Sequence, residues 1–230
     1  MNHVSVIIPV FNPTSHLLAC VDSVLHQSYE NFEVIIVDDG STNNVLASMI
    51  RMWVSPNIRV ITSGDNRGVA HARNCGVRDA KGDYLSFIDQ DDLWPPNKLE
   101  TQAIYLDVHP IIDFVIGQQV YFLSDEQEQV PPWLRENFLQ KSLPGYLPGT
   151  LMVRKKSFEL NGFFDEHLRS GTDDVDWFFR AKDRGLKSMV LPYDLLYKRV
   201  HGNNLSQQVN NHQRELLRVV AESIARQKKG

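Results

Sequence analysis

Cysteine is nearly absent from this chain: there are two in 230 residues, Cys20 and Cys75, each in a helix-like segment. A pair so placed reads as small buried thiols, not as a disulfide framework or a metal clip. Positive charge is also short, with 24 Lys and Arg against 28 Asp and Glu, a net charge of -4 and a pI near 6.0. No overall field exists to hold a phosphate backbone, so a nucleic-acid partner is disfavoured. No apolar run approaches the roughly 20 residues of a membrane span. Met1-Asn2-His3 leads directly into an apolar segment without the pattern of a signal peptide. The expected location is the cytoplasm, with peripheral contact at the inner face of a membrane left open. Internal repeats and low-complexity tracts are missing as well. What remains, 42% hydrophobic, 23% charged and 10% aromatic residues, is the composition of an ordinary compact protein. A length of 230 residues suits one domain.

The first 90 or so residues alternate short apolar runs with helical patterns, the signature of parallel strands joined by crossover helices. Strands are expected at 4–10, 32–37, 58–62 and 84–88. The first crossover helix carries Leu17, Leu18, Val21, Val24 and Leu25 on one stripe behind Thr14 or Ser15 as cap. The second follows the turn Asp38-Asp39-Gly40-Ser41-Thr42 and runs to about Trp53, and the third covers 69–80. Beyond Asp89 the alternation breaks. A helix is expected from Asn97 to about Val108, strands over 114–122 and 147–154, a helix containing Trp177, Phe178, Ala181 and Leu186, two short strands near Met189 and Tyr197, and a closing helix over 207–227. The expected class is α/β: a mostly parallel central sheet with helices on both faces and a less regular C-terminal half.

In open parallel sheets, ligands bind beyond the carboxyl ends of the strands. Here those ends read Pro9-Val10-Phe11-Asn12, Asp38-Asp39, Asp65-Asn66-Arg67-Gly68 and Asp89-Gln90-Asp91-Asp92. Asp38-Asp39 alone is also a good turn and helix cap. Asp89 and Asp91, two apart, leave the same face if strand geometry persists through them. Two such charges about 4 Å apart repel by roughly 4 kcal/mol at an effective dielectric near 20. A divalent cation relieves this, and oxygen ligands select Mg2+ or Mn2+, which complete their shells with water and substrate phosphates. A solvated acidic turn is the other reading of the same residues.

These segments resemble the GT-A-fold, family 2 inverting nucleotide-sugar glycosyltransferases. The likeness rests on residues 4–12 (VSVIIPVFN), 37–42 (VDDGST), 66–76 (NRGVAHARNCG) and 82–92 (GDYLSFIDQDD), in that order. Residues 149–154, 162–166, 173–177 and 199–206 are similar to the family's acceptor-side and closing motifs. The resemblance implies a single GT-A domain over 1–230, with a nucleotide-binding half (1–92), an acceptor-binding half (93–206) and a C-terminal helix (207–230). It implies transfer of a sugar from a nucleotide-sugar donor, uridine favoured as its base, to a hydroxyl of a saccharide or lipid-linked acceptor, with Mn2+ or Mg2+ as cofactor and polysaccharide biosynthesis as the setting. By the same resemblance Asp38 and Asp39 lie against base and ribose over a floor formed by Pro9, Phe11 and Asn12, and Arg73 reaches the base. Asp89 meets the ribose or the metal-bound phosphates, Asp91 ligates the metal, and Arg199 and His201 close over diphosphate and metal. Asp174 matches the catalytic base, and Asp173 stands where the family has Glu.

Acidic side chains in a first helical turn are also stabilised by the helix dipole without any catalysis. Asp174 and Asp176 are about 200° apart on a helix, so one faces the pocket. Asp176 has Arg180 at i+4 to pair with, which leaves Asp174 as the free base. Trp94, Trp133, Tyr146 and Trp177 are candidates for stacking on sugar faces, though aromatics also fill cores. Two other classes compete: a sugar nucleotidyltransferase, and a binding module without catalysis. The first lacks its glycine-rich basic loop, since Phe11-Asn12-Pro13-Thr14 holds neither Gly nor Lys. The second has no use for a base. The closing helix, with Leu216, Leu217, Val219, Val220 and Ile224 beside Arg214, Arg218, Arg226, Lys228 and Lys229, reads as packed on its own domain. A dimer contact or an anionic membrane surface is the alternative.

Overall fold

The computed structural model describes residues 1–53, 55–124, 129–131, 134–168, 171–201 and 209–228, and for 209–212 the backbone alone. The elements in chain order are β1 (Val4–Val10), α1 (His16–Leu25), β2 (Phe32–Asp38), α2 (Val45–Ile50), β3 (Ile58–Thr62), α3 (Val69–Asp79), β4 (Tyr84–Phe87), α4 (Lys98–Val108), β5 (Phe114–Leu123), β6 (Leu143–Pro144), β7 (Met152–Arg154), α5 (Lys155–Asn161), α6 (Asp173–Asp183), β8 (Ser188–Val200) and α7 (Val209–Gln227). They form one eight-stranded sheet in the order β3-β2-β1-β4-β7-β5-β6, with β8 paired to β5.

The expected parallel unit β3-β2-β1-β4 is present, with β1 buried along its whole length, as a strand covered on both faces must be. Alternate residues of β1 serve two cores. Val4, Val6, Ile8 and Val10 pack with Leu17, Val21, Leu99 and Leu106 on the side of α1 and α4. Ile7 packs on the other side with Ala72, Val77, Phe158 and Trp177 of α3, α5 and α6. The approach of α3 to the sheet is close: a Cβ on Gly76 would lie 2.5 Å from Ile7 Cγ2. Pro9 shares its pleat side with Ile7 and lies two residues beyond it, past the last β1–β4 pair, Ile7 with Phe87. Its missing N–H therefore removes no ladder bond.

Beyond β4 the sheet changes direction twice. β7 runs antiparallel to β4, β5 antiparallel to β7, and β8 parallel to β5. The two reversals restore the direction of β1–β4, so the end of β8 reaches the same sheet edge as the end of β4. Where two short strands were expected near Met189 and Tyr197, there is one strand of 13 residues. Pro192 reads as a break, but the β5–β8 register shifts between Ile116 and Gln118 and again before Gln119, so the irregularity is absorbed without ending the strand. The expected strand over 147–154 is shorter: residues Pro148–Thr150 form a 3-10 turn before β7. Helix α2 spans Val45–Ile50, short of Trp53.

Helix α7 packs on α6. Asp183 accepts hydrogen bonds from Ser223, Arg226 and Gln227, and Thr172 Oγ1 donates to Glu215 at 2.7 Å. Leu217 and Ile224 remain exposed on it. Among the described residues no helix is long and apolar enough to cross a membrane.

Candidate active site

The ends of β1 and β2 are stitched together by Asn12. Its backbone is in the left-handed region (φ 44°), which Asn tolerates better than most residues. There its Oδ1 accepts from the backbone N–H of Thr42 (2.8 Å) and Asn43 (3.2 Å), while its own N–H donates to Ser41 Oγ at 2.9 Å. Gln90 braces the neighbouring Phe11 by bonding its N–H and C=O at 3.2 and 3.1 Å. The Phe11 side chain is partly exposed at this edge, and Pro9 is buried beneath it.

Asp38 Oδ1 accepts from Ser41 N–H, closing the turn. Asp39 is 2% exposed and has both oxygens engaged, Oδ1 with Ser63 Oγ (2.6 Å) and Oδ2 with the N–H of Gly68 (2.7 Å) and Arg67 (3.2 Å). The two carboxylates expected against base and ribose thus organise the loops at the ends of β2 and β3.

The acidic loop after β4 meets cations from two directions. Asp89 Oδ1 accepts from Arg73 Nη2 at 2.6 Å, and its Oδ2 lies 4.0 Å from Lys198 Nζ. Burial alone would raise the Asp89 pKa, but Arg73 and Lys198 together hold it below the ordinary value. Asp91 Oδ2 lies 2.7 Å from His201 Nε2, and its carbonyl accepts from Arg199 Nε at 2.9 Å. Asp92 is fully buried, accepting from Arg199 N–H (2.9 Å) and facing Lys198 Nζ (3.3 Å). Burial pushes its pKa up to about 7, with Lys198 opposing and Asp91 and Asp89 adding to the rise.

Lys198 was not expected in the site. The only signal for it in the sequence is the cluster Lys198, Arg199 and His201 at one strand end. It is the cation that the repulsion argument demands for this loop, supplied by the chain itself.

The third group comes from the start of α6. Asp173, fully buried, accepts from Arg73 Nη1 at 3.0 Å, while its Oδ1 has no hydrogen-bond partner among the described residues. The Arg73 guanidinium, expected from the resemblance to reach the base, bridges Asp89 and Asp173. Burial opposes its charge, yet Asp89, Asp173 and Asp174 raise its pKa. Asp174 is half-buried, and its Oδ1 accepts from Val175 N–H at 2.7 Å. Burial and then the Asp173 charge lift its pKa to about 7, against the pull of Arg73. Asp176 pairs with Arg180 Nε at 2.7 Å, the i+4 contact read from the spacing.

Trp177 does not stack on a sugar. It is completely buried between Phe158, Phe114 and Phe178, because it shares the core-facing stripe of α6 with Asp173 and Ala181, four residues to either side. Trp94 is also buried, donating Nε1–H to the Gly149 carbonyl at 2.8 Å. Tyr146 is 53% exposed, and Trp133 lies outside the described residues.

Residues expected to hold a divalent ion fit one in part. Among the described residues no three acidic, His or Cys side chains converge. The Asp91 carboxylate and the His201 imidazole do converge; the carboxylate suits Mn2+ or Mg2+ with phosphate and water in the remaining positions, and the imidazole nitrogen favours Mn2+ over the harder Mg2+. Asp89, also expected to share in metal binding, has its oxygens toward Arg73 and Lys198.

The pattern of Glycosyl transferase family 2 matches residues 5–164, well over half of the chain. The chain belongs to this family. The match takes in the nucleotide-side segments and the acidic loop and ends before Asp173, Asp174, Arg199 and His201. An uncharacterized glycosyltransferase of Rickettsia felis is 32% identical over 226 residues, covering 92% of this chain and 36% of the relative. Glycosyltransferase GlyG of Streptococcus pneumoniae is 37% identical over 127 residues, 54% of this chain and 41% of that one. The matched stretches thus cover well under half of each of these two relatives. In structure it shares the GT-A fold with S. aureus TarS 1-349 in complex with UDP-GlcNAc: TM-score 0.76, 21% identity, 96% of this chain and 66% of that one. It shares it equally with the mannosyltransferase PcManGT of Pyrobaculum calidifontis in complex with GDP-Man and Mn2+: TM-score 0.74, 20% identity, 97% and 64%.

Proposed function

We propose that this family 2 chain is an inverting, metal-dependent glycosyltransferase that moves a sugar from a UDP-sugar to a hydroxyl of a saccharide or lipid-linked acceptor. One observation carries the reading: Arg73 bridges Asp89 on the donor-side loop to Asp173 beside Asp174, so a phosphate site and a candidate base face one another across a single side chain. Neighbours of the same fold bind UDP-GlcNAc in one case and GDP-Man with Mn2+ in another, which supports a nucleotide-sugar donor here.

In the proposed reaction Pro9, Phe11, Asn12, Asp38 and Asp39 frame the nucleoside. Asp91 and His201 hold a divalent ion, which when bound neutralises charge on the diphosphate. Lys198 and Arg199 lie beside this loop, where negative charge grows as the nucleotide leaves. Asp174 takes the proton of the acceptor hydroxyl as it attacks the anomeric carbon from the opposite face. A base with pKa about 7 is half ionised near neutrality and strong enough to accept that proton. Leu217 and Ile224 of α7 are the apolar side chains through which a second copy or a membrane surface would be met.

Release of UDP from a panel of UDP-sugars, with and without Mn2+, tests the activity. The anomeric configuration of the product tests the displacement. A β-linked product from an α-linked donor is expected, and an α-linked product would refute inversion. Formation of a nucleotide-sugar from nucleoside triphosphate and sugar phosphate would instead identify a nucleotidyltransferase.

A further inference from the structure

The loop after β4 gathers the carboxylates of Asp89, Asp91 and Asp92, and the chain answers them with cations of its own. Asp89 faces Arg73 at 2.6 Å and Lys198 at 4.0 Å. Asp92, fully buried, faces Lys198 at 3.3 Å, and Asp91 faces His201 at 2.7 Å. The Lys198 ammonium thus lies between Asp89 and Asp92, at a point where an acidic loop would otherwise draw in a cation from solution.

Its placement is built into the backbone. Leu93 N–H donates to the Tyr197 carbonyl at 3.0 Å, and Tyr197 N–H donates back to the Leu93 carbonyl at 2.9 Å. On the other side of Lys198, Arg199 N–H donates to Asp92 at 2.9 Å. The strand is therefore fastened to the acidic loop both before and after Lys198. The side chain is 19% exposed, open enough to meet a ligand that enters the loop. An ammonium is a compact charge with three donors, so it can bond Asp92, pair with Asp89 and keep a donor for a phosphate oxygen.

Electrostatics then sets an order of entry. Carboxylates attract a divalent ion most strongly when no other cation neutralises them. Asp89 is already engaged by two cations, which leaves Asp91 and His201 for the ion, and the neighbouring ammonium repels it. A diphosphate changes the balance: its charge is attracted by Lys198 and Arg199, and its oxygens supply the ligands that the ion lacks.

We propose that Lys198 is a resident counter-ion of the donor site: it stands in for a divalent ion in the free chain and turns to the diphosphate when that arrives, so the ion binds together with the nucleotide and only weakly without it. The proposal rests on the nucleotide-sugar reading and adds to it the order in which nucleotide and ion enter.

Mn2+ binding to the full chain is followed by the electron paramagnetic resonance of the free ion, and UDP binding by calorimetry in Mn2+ or in EDTA. Without nucleotide, Lys198→Met should bind Mn2+ about tenfold or more tightly than the wild type, a gain that mere loosening of the structure would not produce, while Lys198→Arg should stay as weak as the wild type. In EDTA the wild type should still bind UDP, and Lys198→Met should bind it about tenfold or more weakly. Unchanged Mn2+ affinity in a folded Lys198→Met protein would overturn the proposal. Two results on the wild type alone would do the same: Mn2+ binding equally tight with and without UDP, or UDP binding that vanishes in EDTA. In each of these cases UDP with Mn2+ still binds, and the donor-site reading stands. Failure of the wild type to bind UDP even in Mn2+ would overturn that reading and the proposal with it.

Discussion

Arg73 Nη1 lies 3.0 Å from Asp173 Oδ2, and this contact ties together two helices that are 100 residues apart in sequence. The other arm of the same guanidinium holds Asp89. Arg73→Met would leave Asp173 without a cation in the core and Asp89 with Lys198 alone. Breaking a buried pair of this kind typically destabilises by about 3–5 kcal/mol. Arg73→Lys keeps a charge but lacks the fork needed to reach both partners. We expect Arg73→Lys to fold, with kcat/KM lowered about a hundredfold by misplacement of the base helix. Thermal unfolding and steady-state kinetics check this, and wild-type turnover in Arg73→Met would contradict it.

The pH profile reports on Asp174, which is faced by Asp173, Arg73 and Asp89. A base works when ionised, so kcat/KM should fall as pH drops below about 7. Asp173 raises that pKa, so Asp173→Asn should shift the acid limb to lower pH. Stability follows the same group. Its folded pKa lies above the ordinary 3.8, so the folded state binds the proton more tightly and this group's contribution declines as pH rises from about 4 to about 7. Asp174→Asn should flatten that part of the stability curve, measured by urea unfolding at several pH values. An unchanged slope would show that the carboxyl titrates normally.

Asn12 offers a test on the nucleotide side. Asn12→Ala removes the acceptor for Thr42 and Asn43 N–H and places Ala at φ 44°. A loss of about 1–2 kcal/mol is expected, the range of a lost cap or a strained residue. Asn12→Gly relieves the backbone and not the hydrogen bonds, so it should fall between the two. Equal stability of all three proteins would deny Asn12 its bracing role.

Much of the fold of the first 90 or so residues is legible in the sequence. Buried parallel strands read as unbroken apolar runs, and the crossover helices carry clean stripes, so β1–β4 lie where the pattern put them. The i+4 pairing of Asp176 with Arg180 was equally local. Trp177 was legible too, because Asp173, Trp177 and Ala181 share one helix face, yet the neighbouring acidic residues drew it toward the site. The Arg73 bridge could not be read, since it needs α3, β4 and α6 brought together across long sequence separations. Lys198 was hidden for a similar reason: its partners come from a loop about a hundred residues away, and Pro192 disguised the strand that delivers it.

Titration of UDP with Mn2+ into the wild-type, Asp91→Asn and Asp174→Asn proteins is the most direct test of a donor site separable from a base. Asp174→Asn should bind as the wild type does and fail to transfer sugar, while Asp91→Asn should lose the Mn2+-dependent part of the affinity. Undiminished Mn2+-dependent binding in Asp91→Asn would mean that the nucleotide diphosphate is held elsewhere.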